Sequence, residues 1–353
     1  MSKKKLRFII NPIAGTGKKG AIARSIQQLI NKEAFDYEIM YTQAAGHGAT
    51  LAKEAVELDY YAVVAVGGDG TVNEIAKAIS HSKTAMGIIP CGSGNGLARH
   101  LRIPLQAERA IRLLNKGVVY DLDYGICAGE PFFCTCGMGF DAFISEKFSH
   151  TSKRGPLSYM EHILKSGLSY EPELYTITNK EGSIHSKAFL ITCANASQYG
   201  NDVFIAPKAS MQDGQMDIIM IEPFKAIDAP QIVMQLFSKN IENNEHVRKY
   251  HAKAVHISRK HEGPFHCDGE PFWGGTEIDI TIVPKGFRVI ANPRLFERKG
   301  TPLLFSPTEW LEGLKELQHN FMNKNKSLGR NLVSTLSSTS FLKSLRNERE
   351  QKE

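Results

Sequence analysis

The chain has 353 residues, a formal net charge of +6 and 42% hydrophobic residues. This length exceeds the roughly 100–200 residues of a typical domain, so we expect two domains. No apolar run reaches the roughly 18 residues of a membrane span, and residues 1–5 lack the apolar region of a secretory signal. We therefore expect a cytoplasmic protein without a transmembrane segment. The charge is too small to indicate nucleic acid, but it suits anionic ligands or an anionic membrane surface.

Strands alternate with helices in the first third of the chain. The apolar patterns predict strands at 6–10, 37–41, 60–66 and 85–89, and helices at 21–30, 49–58 and 72–80. Strands separated by helices of about ten residues indicate βαβ units and a mostly parallel sheet. The fold class predicted for this part is Rossmann-like α/β.

The second part of the chain is rich in predicted strands. These lie at 132–136, 174–178, 188–193, 216–221, 254–258 and 276–283, with few helices between them, and predict an all-β sandwich domain. We expect domains at 1–125 and 126–295. Residues 296–353 form a C-terminal extension in which 306–321 has the pattern of an amphipathic helix, and we expect its end to be disordered.

The turn after the strand at 60–66 is the clearest candidate for a phosphate site. Ligands collect at the carboxyl ends of parallel strands, and Gly67, Gly68 and Gly70 let the backbone approach a ligand closely. The helix after the turn presents N–H groups to phosphate oxygens. The Asp69 carboxylate repels phosphate, and its expected role is to hold Mg²⁺. The alternative is a tight strand-to-helix connection in which Asp69 caps the helix.

A second glycine-rich turn, residues 92–96, follows the strand at 85–89. Two such turns at one sheet edge favour a ligand site over a plain connection. Neither turn is a standard nucleotide fingerprint. The segment at 15–20 lacks the spacing of a P-loop, and both turns lack the last glycine of the dinucleotide motif.

Four blocks carry a resemblance to a known family. They are Asn11-Pro12-x-Ala14-Gly15, GGDGTVNE at 67–74, GIIPCGSGNGLAR at 87–99, and Asp268-Gly269-Glu270. In this order, over about residues 5–290, the chain resembles the diacylglycerol kinase catalytic-domain family, which includes bacterial lipid kinases, sphingosine kinases and ceramide kinases. The resemblance implies a phosphofructokinase-like α/β domain, a β-sandwich domain and an active site in the cleft between them.

The resemblance also implies ATP and Mg²⁺ as cofactors and a lipid hydroxyl as phosphoryl acceptor. The acceptor lipid lies at the bilayer surface, which implies peripheral contact with the inner face of the membrane, and homodimers occur in the family. The resemblance assigns the ATP-binding positions to Asn11, Thr42, Gly68, Asp69, Gly70, Thr71, Val72, Asn73, Glu74, Gly92, Ser93 and Asn95. For Thr42, a strand-end hydroxyl without a ligand is the alternative.

The Asp268-Gly269-Glu270 segment is the expected source of the catalytic base. In an extended chain, residues two apart share a face, so both carboxylates would point into the cleft. The resemblance makes Glu270 the general base, with Asp268 orienting it or raising its pKa, and Asp69 completes the predicted catalytic set. The alternative is an acidic β-turn, because Asp-Gly is a common turn pair.

Further acidic residues match family positions. Asp123 corresponds to the metal–water network, with a loop aspartate as the alternative. Asp213 corresponds to a structural Mg²⁺ loop of the bacterial subgroup, with the carbonyls of Ser210 and Gln215 as further ligands, or simply to an Asp-Gly turn. Asp141 falls where sphingosine kinases contact the lipid head, and a plain loop residue is the alternative.

The motifs do not distinguish diacylglycerol from a sphingoid lipid as the acceptor. Bacterial diacylglycerol kinases commonly carry an aspartate where this chain has Gly96. The segment GSGNGLA resembles the corresponding sequence of sphingosine and ceramide kinases more closely. An NAD kinase shares GGDGT, but its Asn-Glu pair lies well downstream of the turn, whereas Asn73-Glu74 follows it at once. A non-catalytic regulator is the other alternative, although Asp69 and Glu270 are both present.

Overall fold

The computed structural model describes residues 3–13, 19–149, 167 and 170–296. Its first part alternates strands with helices, as predicted. The strands are β1 (Lys4–Ile10), β2 (Phe35–Tyr41), β3 (Ala62–Gly67) and β4 (Ala85–Pro90). The helices are α1 (Lys19–Leu29), α2 (His47–Glu57), α3 (Asp69–Ile79), α4 (Gly96–His100) and α5 (Ala107–Leu114).

The four strands form a parallel sheet in the order β2–β1–β3–β4. Every residue of β3 and β4 is buried, which explains their unbroken apolar sequences. Because the strands are parallel, their carboxyl ends meet at one edge. The turns that lead into α3 and α4 therefore lie side by side there.

Strands dominate the second part. They are β5 (Val118–Cys127), β6 (Glu130–Phe132), β7 (Thr135–Gly139), β8 (Glu173–Asn179), β9 (Gly182–Ala188), β10 (Leu190–Ala194), β11 (Met216–Ile221), β12 (Val247–Ala252), β13 (Ala254–Arg259), β14 (Gly263–Cys267), β15 (Glu270–Gly274) and β16 (Glu277–Ala291). Within the described residues, the α-helices α6 (Phe140–Ser149) and α7 (Ala229–Phe237) accompany them.

These strands build a sandwich around a second hydrophobic core. One sheet has the order β12–β11–β10–β7–β14–β15, and it faces β13, β8 and β16 of the other sheet. The six cysteines are free thiols, and all except Cys91 are buried. The predicted fold class, an α/β domain followed by a β-sandwich domain, is confirmed.

The last strand belongs to both parts of the molecule. We predicted a strand at 276–283, but β16 continues to Ala291, and its Val289 pairs in parallel with Met86 of β4. Phe287 and Val289 therefore pack in the first core, although they lie within the predicted 126–295 domain. Residues 287 and 289–291 of this segment are all buried in the first core.

Two other boundaries differ from the prediction. Helix α3 begins at Asp69 rather than at residue 72, so the glycine turn is already its first turn. The predicted strand at 132–136 is divided between β6 and β7. The predicted helix at 306–321 lies outside the described residues. Within the described residues, no helix is both long and apolar enough to cross a membrane.

Candidate active site

The two glycine turns touch each other through their backbones. A Cβ on Gly92 would lie 2.6 Å from the Cα of Gly68, and one on Gly94 would lie 2.7 Å from Oδ2 of Asp69. Real Cβ atoms do not approach that closely, so these positions need glycine for close contact. The turns form one continuous surface at the sheet edge.

Asp69 fastens the second turn to the first. Its Oδ2 accepts the N–H of Asn95 at 2.8 Å, and its Oδ1 accepts the N–H of Gly96 at 2.7 Å. The Asn95 side chain closes its own turn through the N–H and the carbonyl of Gly92, at 3.0 and 2.7 Å. Asp69 thus caps a helix, as the alternative reading proposed, but the helix is α4.

The other predicted ATP positions surround this surface. The Nδ2 group of Asn11 donates to Oγ1 of Thr71 at 3.0 Å, which joins the end of β1 to α3. Oε1 of Glu74 accepts the N–H of Ala49 at 3.0 Å in the first turn of α2. Thr42 is buried beside this contact, since a Cβ on Gly48 would touch both Glu74 and Thr42. Val72 is buried, and Ser93 is exposed.

A cleft opens between this surface and the sandwich domain. Its lining combines α3 and α4 with residues of β7, α6 and the turn after β14. The lining residues are Asp69, Val72, Asn73, Gly96, Leu97, Phe133, Cys134, Thr135, Asp141, Ser145, Tyr199, His266, Asp268 and Gly269. The cleft therefore brings together four candidate residues from distant parts of the chain, Asp69, Asn73, Asp141 and Asp268.

Asp268 is held by four donors. Its Oδ1 accepts the N–H groups of Cys134 and Thr135 at 2.7 and 3.0 Å. Its Oδ2 accepts the N–H of Phe133 at 2.8 Å and the Nδ2 group of Asn73 at 2.7 Å. Burial raises the pKa of Asp268, and these donors act in the opposite direction. The carboxylate separates β6 from β7 and joins α3 to the sandwich.

The prediction that Asp268 and Glu270 share an extended face is wrong. Asp268 and Gly269 have φ values of 52° and 82° and form the two-residue turn between β14 and β15, in which Cys267 pairs with Glu270. The turn sends the two carboxylates in different directions. Asp268 faces the cleft wall, so its predicted role of orienting Glu270 through direct contact has no support in the geometry.

Glu270 lies at the rim of the cleft. Its side chain is 60% exposed, and its Oε2 lies 3.4 Å from Nζ of Lys77, one helical turn beyond Asn73. Lys77 also lies 3.9 Å from Glu130. The ammonium group keeps Glu270 on the α3 side of the cleft.

Asp141 sits in a polar cluster that the sequence did not predict. Its Oδ2 accepts the hydroxyl of Thr192 at 2.8 Å and lies 3.2 Å from Nε2 of His266. The Tyr199 hydroxyl lies 2.6 Å from the Thr192 hydroxyl and 3.3 Å from the same carboxylate oxygen. Asp141 is thus no plain loop residue. Strand alternation at 264–267 was the available signal, since His266 lies between buried Phe265 and Cys267.

Asp123 does not reach the cleft lining. It is 1% exposed, and its two oxygens accept the N–H groups of Gly214 and Lys285 at 2.7 and 2.8 Å. It fastens the 210–215 loop to β5. In that loop, the exposed Asp213 accepts the N–H of Gln215 at 3.1 Å, while the Ser210 hydroxyl accepts the N–H of Gln212 at 3.2 Å. These are turn contacts of the kind that the alternative reading predicted.

The residues present fit Mg²⁺ at Asp69 better than at Asp123. Across the described ranges, no group of three or more His, Cys, Asp or Glu side chains is arranged to hold a metal ion by itself. Mg²⁺ needs no such group, because it binds one or two carboxylates, waters and substrate phosphates. Asp69 faces the cleft and accepts one N–H on each oxygen, so each oxygen retains a lone pair. Asp123 is enclosed by backbone.

Known proteins resemble the chain over both domains. Residues 5–127 match the model of the diacylglycerol kinase catalytic domain, and residues 134–291 match the YegS C-terminal NAD kinase beta sandwich-like domain. A Klebsiella pneumoniae protein named "Probable lipid kinase YegS-like" is 28% identical over 79% of this chain and 94% of its own length. An uncharacterised Synechocystis protein is 29% identical over 80% of this chain and 69% of its own.

The fold has a counterpart among solved structures. A Bacillus anthracis protein described as a diacylglycerol kinase superimposes with a TM-score of 0.65 and 22% identity, and the match covers 84% of this chain and 99% of that one. At this identity the likeness shows the fold. Together with the two domain matches and the cleft between the domains, it leads to one conclusion: the chain belongs to the diacylglycerol kinase catalytic-domain family of lipid kinases.

Proposed function

We propose that the protein transfers the γ-phosphoryl group of ATP to the hydroxyl of a lipid. The single observation that supports this most is the cleft, which has the glycine surface on one wall and the acidic residues Asp141 and Asp268 on the other. The Asn73–Asp268 hydrogen bond of 2.7 Å joins the two walls. Donor and acceptor substrates bound on opposite walls would meet there.

The glycine surface supplies the phosphate donors. The first N–H groups of a helix have no acceptor within the helix, and they carry the positive end of the helix dipole. Helix α3 starts at Asp69, directly at the cleft, so the N–H groups of Gly70 and Thr71 are available to phosphate oxygens. We place the triphosphate over Gly68–Thr71 and the second turn.

Mg²⁺ would be held by Asp69, with waters and phosphate oxygens as further ligands. Its chemistry there is to neutralise negative charge on the phosphates during transfer. Asp69 also holds α4 in place through Asn95 and Gly96, so the same carboxylate would order the phosphate surface and bind the ion. A metal at the 210–215 loop, with Asp213 as ligand, stays a prediction.

Glu270 is our candidate for the general base. As the acceptor oxygen bonds to the γ-phosphorus, the bond from that phosphorus to the β–γ bridging oxygen breaks, ADP leaves, and Glu270 takes the hydroxyl proton. The Nζ atom of Lys77 lies 3.4 Å from Oε2 of Glu270 and holds this carboxylate beside the mouth of the cleft. The exposed position suits an acceptor that arrives from a surface rather than from the protein interior.

We place the acceptor between Glu270 and Asp141, with its apolar tail directed out of the cleft. Trp273 follows Glu270 on the edge strand β15 and is 65% exposed. Tryptophan favours the interface between headgroups and acyl chains, so this residue is our candidate for contact with the bilayer. The acceptor remains a class, diacylglycerol or a sphingoid lipid, because Asp141 suits a hydroxyl or an amine.

A labelling assay tests the proposal. Purified protein is incubated with γ-labelled ATP, Mg²⁺ and, separately, diacylglycerol, sphingosine, ceramide and NAD. We expect label in a lipid, and we expect Glu270→Gln to lower kcat by about 10²–10⁴-fold. Because the Glu270 side chain is 60% exposed, this variant should unfold at the same temperature as the wild type.

Glu277→Gln is the matched control. Its side chain is 61% exposed on a strand of the sandwich, and it contacts His256 rather than the cleft. We expect full turnover from it. Label in NAD alone would favour an NAD kinase, the alternative to which the match over residues 134–291 also points. Full turnover of Glu270→Gln would show that Glu270 is not the general base.

A further inference from the structure

His266 lines the cleft and contacts both Asp141 and the backbone of the Asp268–Gly269 turn. The residue is 2% exposed and occupies β14, directly before Cys267 and the Asp268–Gly269 turn. One ring nitrogen, Nδ1, receives the N–H of Gly269 at 3.3 Å. The other, Nε2, lies 3.2 Å from Oδ2 of Asp141. The proposed phosphoryl transfer gives this side chain no role.

The two contacts fix the protonation of the ring. A ring nitrogen that accepts a hydrogen bond carries no proton, and Gly269 offers only a donor, so Nδ1 is unprotonated. The proton of the neutral ring is therefore on Nε2, which donates it to Asp141. Protonation of Nδ1 would place two N–H donors face to face.

Asp141 is ordered from other sides as well. Its Oδ1 accepts the N–H of Ala142 in the first turn of α6, and its Oδ2 accepts the Thr192 hydroxyl. His266 is the partner that reaches it from β14, the strand that leads into the Asp268–Gly269 turn. The imidazole thus bridges the acceptor side of the cleft and the turn from which Glu270 emerges.

We propose that His266 is a positioning residue with two separable functions. Through Nδ1 it accepts the N–H of Gly269 and thereby fixes the position of the neighbouring Glu270. Through Nε2 it orients the Asp141 carboxylate toward the acceptor head. This inference rests on the proposed function, in which Glu270 takes the proton of the acceptor and Asp141 contacts its head.

Asparagine and glutamine separate the two functions. The side-chain carbonyl of asparagine can take the place of Nδ1, but the residue is too short to reach Asp141. The terminal amide of glutamine can take the place of Nε2 and donate to Asp141, but it offers nothing at the position of Nδ1. His266→Asn should therefore keep the Gly269 contact, and His266→Gln should keep the Asp141 contact.

Steady-state kinetics with each lipid acceptor test the separation. For His266→Asn we expect the KM for the acceptor to rise about tenfold, with kcat nearly unchanged, because one hydrogen bond to a charged group is lost. For His266→Gln we expect kcat to fall about tenfold with an unchanged acceptor KM. Thr192→Val, which removes another donor to Asp141, should behave like His266→Asn.

Two outcomes would overturn the proposal. One is that the asparagine and glutamine variants change kcat and KM alike, or change neither, while remaining folded in thermal denaturation. The other is that ¹⁵N NMR of the wild-type imidazole finds the proton on Nδ1 or on both nitrogens. The NMR measurement needs no turnover, so it decides the His266 bridge even if the wild type labels no lipid, which would refute only the proposed function.

Discussion

Replacing Asp268 by asparagine tests the idea that this carboxylate holds the two domains in register. The wild-type side chain accepts N–H groups from Phe133, Cys134 and Thr135 and the amide of Asn73. The amide of asparagine has one oxygen, so it can serve one pair of these donors, while its own NH₂ group faces the other pair.

The magnitude follows from the two donors that lose their acceptor. A partly buried donor without an acceptor costs about 1–3 kcal/mol, so Asp268→Asn should lower the free energy of unfolding by roughly 2–6 kcal/mol. At about 2.1 cal/mol/K per residue, the unfolding entropy of the 353-residue chain is roughly 0.7 kcal/mol/K. A change of about 1 kcal/mol therefore shifts the melting temperature by roughly 1.4 °C, and a value near 4 kcal/mol predicts a fall of roughly 5–6 °C.

Thermal denaturation without nucleotide, in the presence of a chelator, measures the effect. Asp213→Asn is the matched control, because Asp213 also accepts a backbone N–H in a turn, but it is exposed and an amide oxygen can replace its single contact. We expect the control to stay within about 0.5 kcal/mol of the wild type. A fall of less than about 2 °C for Asp268→Asn would refute the stabilising role of the four donors.

Three further substitutions test the glycine surface and the bilayer contact. Gly92→Ala places a Cβ 2.6 Å from the Cα of Gly68, so we expect a lower melting temperature and lost ATP binding in a titration. In Gly70→Ala, the new Cβ meets no atom within 4 Å and a helical glycine is removed, so we expect the free energy of unfolding to rise by about 0.5–1 kcal/mol. We also expect a higher KM for ATP, because the methyl group enters the proposed phosphate space. Trp273→Ala, at an exposed position, should lower turnover on lipid vesicles about tenfold while turnover on a short-chain soluble acceptor is unchanged; an equal loss on both would contradict a bilayer contact.

Local sequence patterns predicted the α/β domain well, because its strands and helices are decided by nearby residues. The apolar strands β3 and β4 and the helix α3 lie within a few residues of their predicted positions. Parallel pairing then places their carboxyl ends together without further information. The glycine turns could be identified for the same reason.

The roles of individual acidic residues could not be predicted in this way. Asp268 and Glu270 point apart because the chain turns at Asp268, and Asp268 is occupied by N–H groups from residues 133–135. Asp123 is enclosed by a loop more than 80 positions away in the sequence. A carboxylate has the same appearance in a sequence whether it faces a ligand or a backbone amide, so spacing alone could not distinguish these cases.

Periodicity and contiguous motifs were enough to predict an α/β domain followed by a β-sandwich, the family, and two glycine turns at one edge of the sheet. Only the packed structure shows which carboxylates face the cleft, that Asp69 also caps α4, and that His266 joins Asp141 to the Asp268–Gly269 turn. Those facts depend on hydrogen bonds between residues distant in the chain. Such bonds form only when the strands of the sandwich and the α/β sheet have packed, and for that reason no local pattern records them.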